Sequence, residues 1–135
     1  MLDKDSKERA RILADLGVFA DASKDEMKAI AKRGRIVPVP EDWALIWDDT
    51  PADKAYVIIS GTAEVRRDGQ VVATLSRGDV VGEVAIMEHT LRTATVVSAE
   101  RMELLHYTDE EVQELYAEVP AFRAAVDRAV SAHHG

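Results

Sequence analysis

The chain has 135 residues, of which 47% are hydrophobic and 31% charged, so we expect residues 1–135 to form one globular domain rather than a disordered chain. A net charge of −8 argues against nucleic acid and acidic membranes as partners, and the lack of cysteine excludes disulfides, thiol chemistry and thiolate metal sites. No apolar run approaches the ~20 residues of a membrane span, and the charged N-terminus does not resemble a signal peptide, so we expect a cytoplasmic protein.

Two helices are predicted in the first part of the chain. Apolar residues at helical spacing predict the first helix over Ser6–Leu16. Ser23 and Glu26 have the spacing of a capping box, which predicts a second helix over Lys24–Lys32. Residues 1–34 are therefore expected to be a helical lead-in to a domain of another type.

Seven short strands are predicted over residues 35–107. Alternating polarity, β-branched residues and intervening turn residues mark them, and Asp68-Gly69 is a hairpin signal between two of them. The predicted strands are Ile36–Pro40, Ala44–Trp47, Tyr56–Ile59, Thr62–Arg66, Val71–Leu75, Thr93–Ser98 and Met102–Tyr107. Short strands at close spacing indicate an antiparallel sandwich or barrel, so we expect an antiparallel β jelly roll here.

Helices are predicted again over residues 108–135. Thr108 and Glu111 repeat the capping-box spacing, and Pro120 interrupts the helix that they begin. A further helix is predicted over Ala121–Ala132, because its apolar residues fall on one side. The expected fold class is therefore mainly β, with N-terminal and C-terminal α-helices flanking the roll.

The stretch Val81–Thr95 has the composition of an anion-binding site. Gly82 allows a close approach of the backbone, and Glu83 offers a carboxylate that accepts hydrogen bonds from hydroxyl groups. Residues Ala85–Met87 permit one helical turn whose amide groups are free for an anion. Arg92 supplies a planar fork of donors that matches phosphate. A ligand with a sugar hydroxyl and a singly charged phosphate would satisfy all of these groups.

The pattern Gly82-Glu83-Val84-Ala85, followed after a loop by Arg92-Thr93-Ala94, resembles the phosphate-binding cassette of cyclic-nucleotide-binding domains. Such domains occur in catabolite-activator-type regulators, protein kinase A regulatory subunits and nucleotide-gated channels. The interval from Glu83 to Arg92 is similar to that of the kinase regulatory subunits. The resemblance implies a cupin-like double-stranded β-helix over residues 35–107, with the cassette at residues 81–95.

The same resemblance implies roles for the cassette residues. Glu83 would bind the ribose 2′-hydroxyl, and Arg92 would bind the cyclic phosphate. The hydroxyl of Thr93 could bond the amine of a guanine, but bacterial relatives with a hydroxylated residue there bind cAMP, so cAMP is favoured and cGMP is possible. No metal and no further cofactor are implied. The implied ligand-binding residues are Gly82, Glu83, Val84, Ala85, Arg92, Thr93 and Ala94.

The chain departs from the family pattern in its turns. Asp42 and Asp49 stand where two turn glycines are usual, and aspartate tolerates a left-handed backbone better than most residues. The loop His89-Thr90-Leu91 replaces the more usual Gly-Thr-Pro. This loop bears on the orientation of Arg92, which comes directly after it.

Two classes of function are open at this point. One is a regulatory module that binds a cyclic nucleotide and relays binding through its flanking helices to a protein partner or to a second copy of the chain. The other is a protein-interaction domain of the same fold that no longer binds nucleotide, in which Glu83 and Arg92 pair with each other. An enzyme is not expected, because nucleophile motifs, a P-loop and an H-x-H metal pair are missing. Since the sequence ends at Gly135, we expect a standalone domain without a DNA-binding part.

Overall fold

The computed structural model describes residues 4–134, which form two antiparallel sheets with helices on one side. The helices are α1 Lys4–Leu16, α2 Lys24–Arg33, α3 Glu83–Glu88, α4 Asp109–Glu118 and α5 Pro120–His134. The strands are β1 Arg35–Val39, β2 Ala44–Ile46, β3 Lys54–Ser60, β4 Ala63–Arg67, β5 Gln70–Leu75, β6 Val80–Val81, β7 Thr95–Ser98 and β8 Met102–Thr108. None of the helices within this range combines the length and the apolarity needed to cross a bilayer.

Both predicted capping boxes are present. The N–H of Glu26 donates to Ser23 Oγ at 3.1 Å, while the N–H of Ser23 donates to Glu26 Oε1 at 3.0 Å. The same reciprocal pair joins Thr108 and Glu111, at 3.1 and 2.9 Å. These bonds satisfy N–H groups that have no partner within the helix, and they define where α2 and α4 begin.

The predicted antiparallel jelly roll is confirmed. One sheet has the strand order β1-β8-β3-β6 and the other β2-β7-β4-β5. The structure adds β6, which is too short to leave a sequence pattern, and it starts β7 at Thr95 rather than Thr93. The strand begins later because the backbone of Arg92, just upstream, is hydrogen-bonded to the β2–β3 loop instead of to a strand.

Two apolar cores lie on the two faces of the first sheet. On β3, Tyr56 and Ile58 face the second sheet, while Ala55, Val57 and Ile59 face the helices. This alternation is the period-two pattern of a strand that is covered on both faces. The inner core fills the roll, and the outer core attaches α1, α2, α4 and α5 to it.

The turns adopt the backbone conformations that their residues favour. Asp42 and Asp49 have φ values of 64° and 57°, so the two aspartates take the left-handed conformation that glycine usually supplies. Asp68 and Gly69 have φ values of 52° and 77° between β4 and β5. Two consecutive positive φ values are typical of a type I′ hairpin turn, as the Asp-Gly pair predicts.

Candidate functional site

A cavity of about 480 Å³ opens between the second sheet, α3 and the loop after α3. Its volume falls within the range of about 300–1,000 Å³ that is usual for small-molecule sites. Buried apolar residues of the inner core form its floor, among them Ile46, Leu75, Val81 and Val96. The cavity therefore continues the interior of the roll outward to the surface.

Six of the seven site residues predicted from the sequence line this cavity. They come from α3, from the residue before it and from the segment that leads into β7: Gly82, Val84, Ala85, Arg92, Thr93 and Ala94. The seventh, Glu83, is not part of its wall. The structure thus brings together the two ends of the predicted cassette, which are separated along the chain by the His89-Thr90-Leu91 loop.

Arg92 is held at the cavity by its backbone and by its side chain. Its N–H donates to Thr50 O at 2.9 Å, and its own carbonyl oxygen accepts from the N–H of Asp49 at 2.8 Å. The guanidinium donates through Nη1 to the carbonyl oxygen of Gly82 and through Nη2 to that of Lys54. The residue is only 5% exposed. The position of this cation is therefore set by contacts to three segments of the chain.

Gly82 fits under Arg92 because it has no side chain. Its φ of 92° lies in the left-handed region, where residues with a Cβ are strained. A Cβ at this position would lie 3.0 Å from each of three atoms: Arg92 Nη1, Ile46 Cδ1 and Lys54 O. Both the backbone conformation and the close approach of the guanidinium therefore favour glycine.

Glu83 lies on the other side of the first sheet. Its side chain is fully buried and lines a second, small cavity of about 10 Å³ together with Phe19, Tyr107 and Phe122 from the outer core. The carboxylate remains close enough to Arg92 to act on its charge. For Glu83 to meet a ligand in the large cavity, its side chain would have to turn from the outer core toward the roll.

The pKa of the Arg92 guanidinium is subject to opposing influences. Burial lowers the pKa of the guanidinium, whereas the carboxylates of Asp53 and Glu83 act in the opposite direction. Burial and the negative charge of Asp53 also raise the pKa of Tyr56, and the positive charge of Arg92 opposes this. Arginine stays protonated in proteins despite such shifts, so the cavity holds a partly desolvated positive charge.

The sequence interpretation missed the other twelve residues that line the cavity, and five of them illustrate which elements they come from. Val65 and Arg67 come from β4, Val72 from β5, Leu91 from the loop and Ala132 from α5. The alternation along β4 was a usable signal, since Ala63, Val65 and Arg67 fall on one face of the strand. No local signal connects Ala132 to this site, because its helix is distant in sequence and reaches the cavity only in the folded chain.

A metal site requires several ligand side chains arranged around one ion. No group of three or more histidine, aspartate or glutamate side chains among residues 5–132, whose side chains the structure describes, is arranged to hold an ion. The large cavity is lined by two arginines, Arg67 and Arg92, by one carboxylate, Glu88, and otherwise mainly by apolar residues; its two positive charges against one negative charge suit an anionic organic ligand.

Comparison with known sequences agrees with this geometry. The family model described as "Cyclic nucleotide-binding domain" matches residues 36–119. The cAMP-dependent protein kinase regulatory subunit of Yarrowia lipolytica is 32% identical over 94 residues, which cover 68% of this chain and 25% of the relative. The corresponding subunit of Mycosarcoma maydis is 31% identical over 106 residues, which cover 73% of this chain and 20% of that relative. The chain thus spans a quarter or less of these two relatives.

Solved structures share the fold. PKAR CBD2 with bound Sp-2Cl-cAMPS superposes with a TM-score of 0.84 at 20% identity, covering 97% of this chain and 88% of that one. A cyclic nucleotide-binding domain from Methylobacillus flagellatus superposes with a TM-score of 0.76 at 20% identity, covering 96% and 78%. At such identities the likeness concerns the arrangement of the helices and strands.

Proposed function

Since this chain belongs to the cyclic nucleotide-binding domain family, we propose that it binds a cyclic nucleotide in the large cavity, with cAMP favoured and cGMP possible. The observation that carries the proposal is the buried guanidinium of Arg92 in the wall of a cavity of about 480 Å³, beside the first turn of α3. The Yarrowia and Mycosarcoma relatives are regulatory subunits of a cAMP-dependent kinase, which supports the preference for cAMP.

The Arg92 end of the cavity suits the cyclic phosphate. That group carries one negative charge, and its transfer out of water is costly unless a cation and several donors meet it. The bonds to Gly82 and Lys54 use two of the five N–H groups that a guanidinium offers, so the side chain retains donors for an anion. Val84 and Ala85 stand in the first turn of α3, where N–H groups have no acceptor within the helix.

The apolar part of the cavity wall suits a purine base. Val65, Val72 and Leu91 belong to it, and the last two are 52% and 54% exposed in the described chain. A flat base that covers these side chains would remove apolar surface from water, which contributes about 25 cal/mol per Å². The ribose would then lie between the base and Arg92, where Glu83 is proposed to reach its 2′-hydroxyl after turning out of the outer core.

The flanking helices are the proposed route to a partner or to a second copy of the chain. Ala132 of α5 lines the cavity, and α5 also packs against α3. The helices are joined to one another: Glu26 Oε2 accepts from the N–H of Ala121 at 2.9 Å, and Arg33 contacts Glu118 at 3.2 Å. A ligand that moves α3 or the end of α5 would therefore act on a connected group of helices.

The direct test is thermal melting and titration calorimetry of the purified chain with cAMP, cGMP and 5′-AMP. A ligand at ~100 times its dissociation constant stabilises the folded state by about 2.7 kcal/mol, which would raise Tm by roughly 10 °C in a domain of this size. The open 5′-AMP, with its extra charge, is the control and should shift Tm less. If the chain shows neither a shift nor binding heat with any cyclic nucleotide at millimolar concentration, the proposal is wrong.

A second candidate, the interaction domain that no longer binds nucleotide, is favoured by one observation. The two charged side chains of the cassette are accommodated within the fold: Arg92 donates to two backbone carbonyl groups, and Glu83 lies in the outer core near it. Failure to bind in the titration, together with a normal melting curve, would support this second function instead.

A further inference from the structure

We propose that Arg67 reads the edge of the ligand's base and thereby strengthens the binding of cGMP relative to cAMP. The inference rests on the proposed function, because it assumes a nucleotide in the large cavity. It assigns to β4 a specificity role that lies outside the cassette at residues 81–95.

Arg67 is placed at the cavity by the geometry of its strand. It is the last residue of β4, it is exposed, and it lines the large cavity. Val65 and Ala63, two and four residues earlier, contribute to the inner core of the roll. Successive odd positions on this strand therefore face the ligand-binding side.

The pairing of β4 with β7 brings Arg67 close to the end of the cassette. Arg66 pairs with Thr95, and the two strands run antiparallel. Arg67 therefore lies at the level of Ala94, the residue before Thr95. Thr93, whose hydroxyl is predicted to contact the base, is the next residue beyond and lines the same cavity. Both Arg67 and Thr93 can therefore contact a ligand in this cavity.

The guanidinium of Arg67 is available to a ligand. In the described range of the chain, its side chain forms no hydrogen bond or ion pair. Its neighbour Arg66 is engaged instead, since Arg66 Nη2 lies 2.6 Å from Glu64 Oε1. Arg92, the other arginine in the cavity wall, is buried and bonded to two carbonyl groups. Among the described residues that line the cavity, Arg67 is therefore the solvated cation.

The chemistry of an arginine fork favours guanine over adenine. Guanine presents two acceptors side by side, O6 and N7, which a guanidinium can bind through two parallel N–H groups. Adenine presents N7 beside the N6 amine, so one of the two donors would face another donor. Val65 and Val72 line the same cavity, and a bound base that covers them would reduce competition from water for these bonds.

The test is calorimetric titration of the parent chain, Arg67→Ala and Arg67→Lys with cGMP, cAMP and 7-deaza-cGMP, which lacks the N7 acceptor. We expect Arg67→Ala to weaken cGMP binding about tenfold and cAMP binding less than about threefold. Arg67→Lys should recover only part of the loss, because lysine retains the charge without the fork. Arg11→Ala, which removes an exposed arginine from α1, is the matched control for charge and should bind like the parent.

The outcomes separate this inference from the proposed function. If the parent binds cyclic nucleotides and the ratio of cGMP to cAMP affinity is unchanged in Arg67→Ala, the role of Arg67 is refuted while the function stands. Equal losses for both nucleotides also refute it, since they would indicate attraction by charge alone. A parent chain that binds neither nucleotide refutes both. Support requires that 7-deaza-cGMP bind more weakly than cGMP to the parent, and that this difference disappear in Arg67→Ala.

Discussion

The guanidinium of Arg92 donates a hydrogen bond to the carbonyl oxygen of Gly82, ten residues earlier in the chain. The absence of a side chain on Gly82 is what allows this approach, because a Cβ would lie 3.0 Å from Arg92 Nη1. The two residues therefore function as one unit: the glycine provides the space and the acceptor, and the arginine provides the charge. Substitution of either residue should consequently affect the binding of a ligand.

Replacement of Arg92 should abolish most of the affinity for cyclic nucleotides. Loss of one partner from a desolvated charge pair typically costs roughly 2–5 kcal/mol, so Arg92→Ala should lower cAMP affinity at least about thirtyfold. Arg92→Lys should recover part of it. The ligand-free variant should stay folded but melt earlier, because two partly buried carbonyl groups lose their donor. Unchanged cAMP affinity of Arg92→Ala in calorimetry would mean that Arg92 is not the phosphate ligand.

Gly82→Ala should be more damaging than Gly69→Ala, although both glycines have a positive φ, of 92° and 77°. Each substitution strains the backbone by roughly 1–2 kcal/mol. Only at Gly82 does the new Cβ also meet other atoms, because nothing lies within 4 Å of a Cβ at Gly69. Chemical denaturation and cAMP titration of both variants measure the difference. Equal losses of stability, with cAMP binding intact in both, would contradict the steric argument.

Glu83 is predicted to contact the ribose only when its side chain has turned out of the outer core. A ligand that lacks the ribose 2′-hydroxyl tests this contact. The parent should bind 2′-deoxy-cAMP more weakly than cAMP, because a charged hydrogen bond is lost. In Glu83→Gln the two ligands should differ less, and the loss of cAMP affinity should be smaller than that of Arg92→Ala. If the parent binds cAMP and 2′-deoxy-cAMP with equal affinity, Glu83 does not bind the ribose 2′-hydroxyl and its role is structural.

Thr93 is exposed and lines the cavity, where its hydroxyl can contribute to the choice of base. We expect the parent to bind cAMP, with cGMP within about tenfold, a difference of about 1.4 kcal/mol. Thr93→Ala should weaken cGMP more than cAMP, because the guanine amine loses an acceptor. Thr93→Ser, which retains the hydroxyl, is the matched control. Parallel losses for the two nucleotides would mean that Thr93 does not read the base.

His106 should make stability depend on pH near neutrality. Its pKa lies below the ordinary value of 6.5, because burial and the charges of Arg35 and Lys54 disfavour the protonated ring, while Glu111 and Asp53 oppose this only in part. The unfolded chain therefore takes up the proton first as the pH falls. The stability that the fold gains from a neutral His106 is therefore complete above about pH 6.5 and is lost as the pH falls below it.

The measurement for His106 is the free energy of unfolding between about pH 7.5 and about pH 5.5, a window in which histidine is the side chain expected to titrate. The decrease toward low pH should be smaller in His106→Gln than in the parent. His89→Gln, which changes an exposed histidine in the loop after α3, should behave like the parent. Identical pH profiles for the parent and His106→Gln would rule out the role of this side chain.

The sequence by itself determined the features that depend on neighbouring residues. The pairs Ser23 with Glu26 and Thr108 with Glu111 define helix starts through bonds that span three residues. Asp68-Gly69 determines a hairpin through its own φ values. The cassette could be predicted from a local pattern in the same way, because its residues lie within one short stretch. Such features can be predicted from the sequence because the residues that form each hydrogen bond or turn lie in the same short segment.

Only the tertiary structure decided which side chains share the cavity. Arg67 joins it because β4 pairs with β7, and Ala132 joins it because α5 packs against α3. Glu83 does not line the cavity, because its side chain is buried in the outer core between the first sheet and the helices. These placements depend on contacts between segments far apart in the chain. A local pattern shows which face of a helix or strand is apolar, but it does not show which other segment will cover that face.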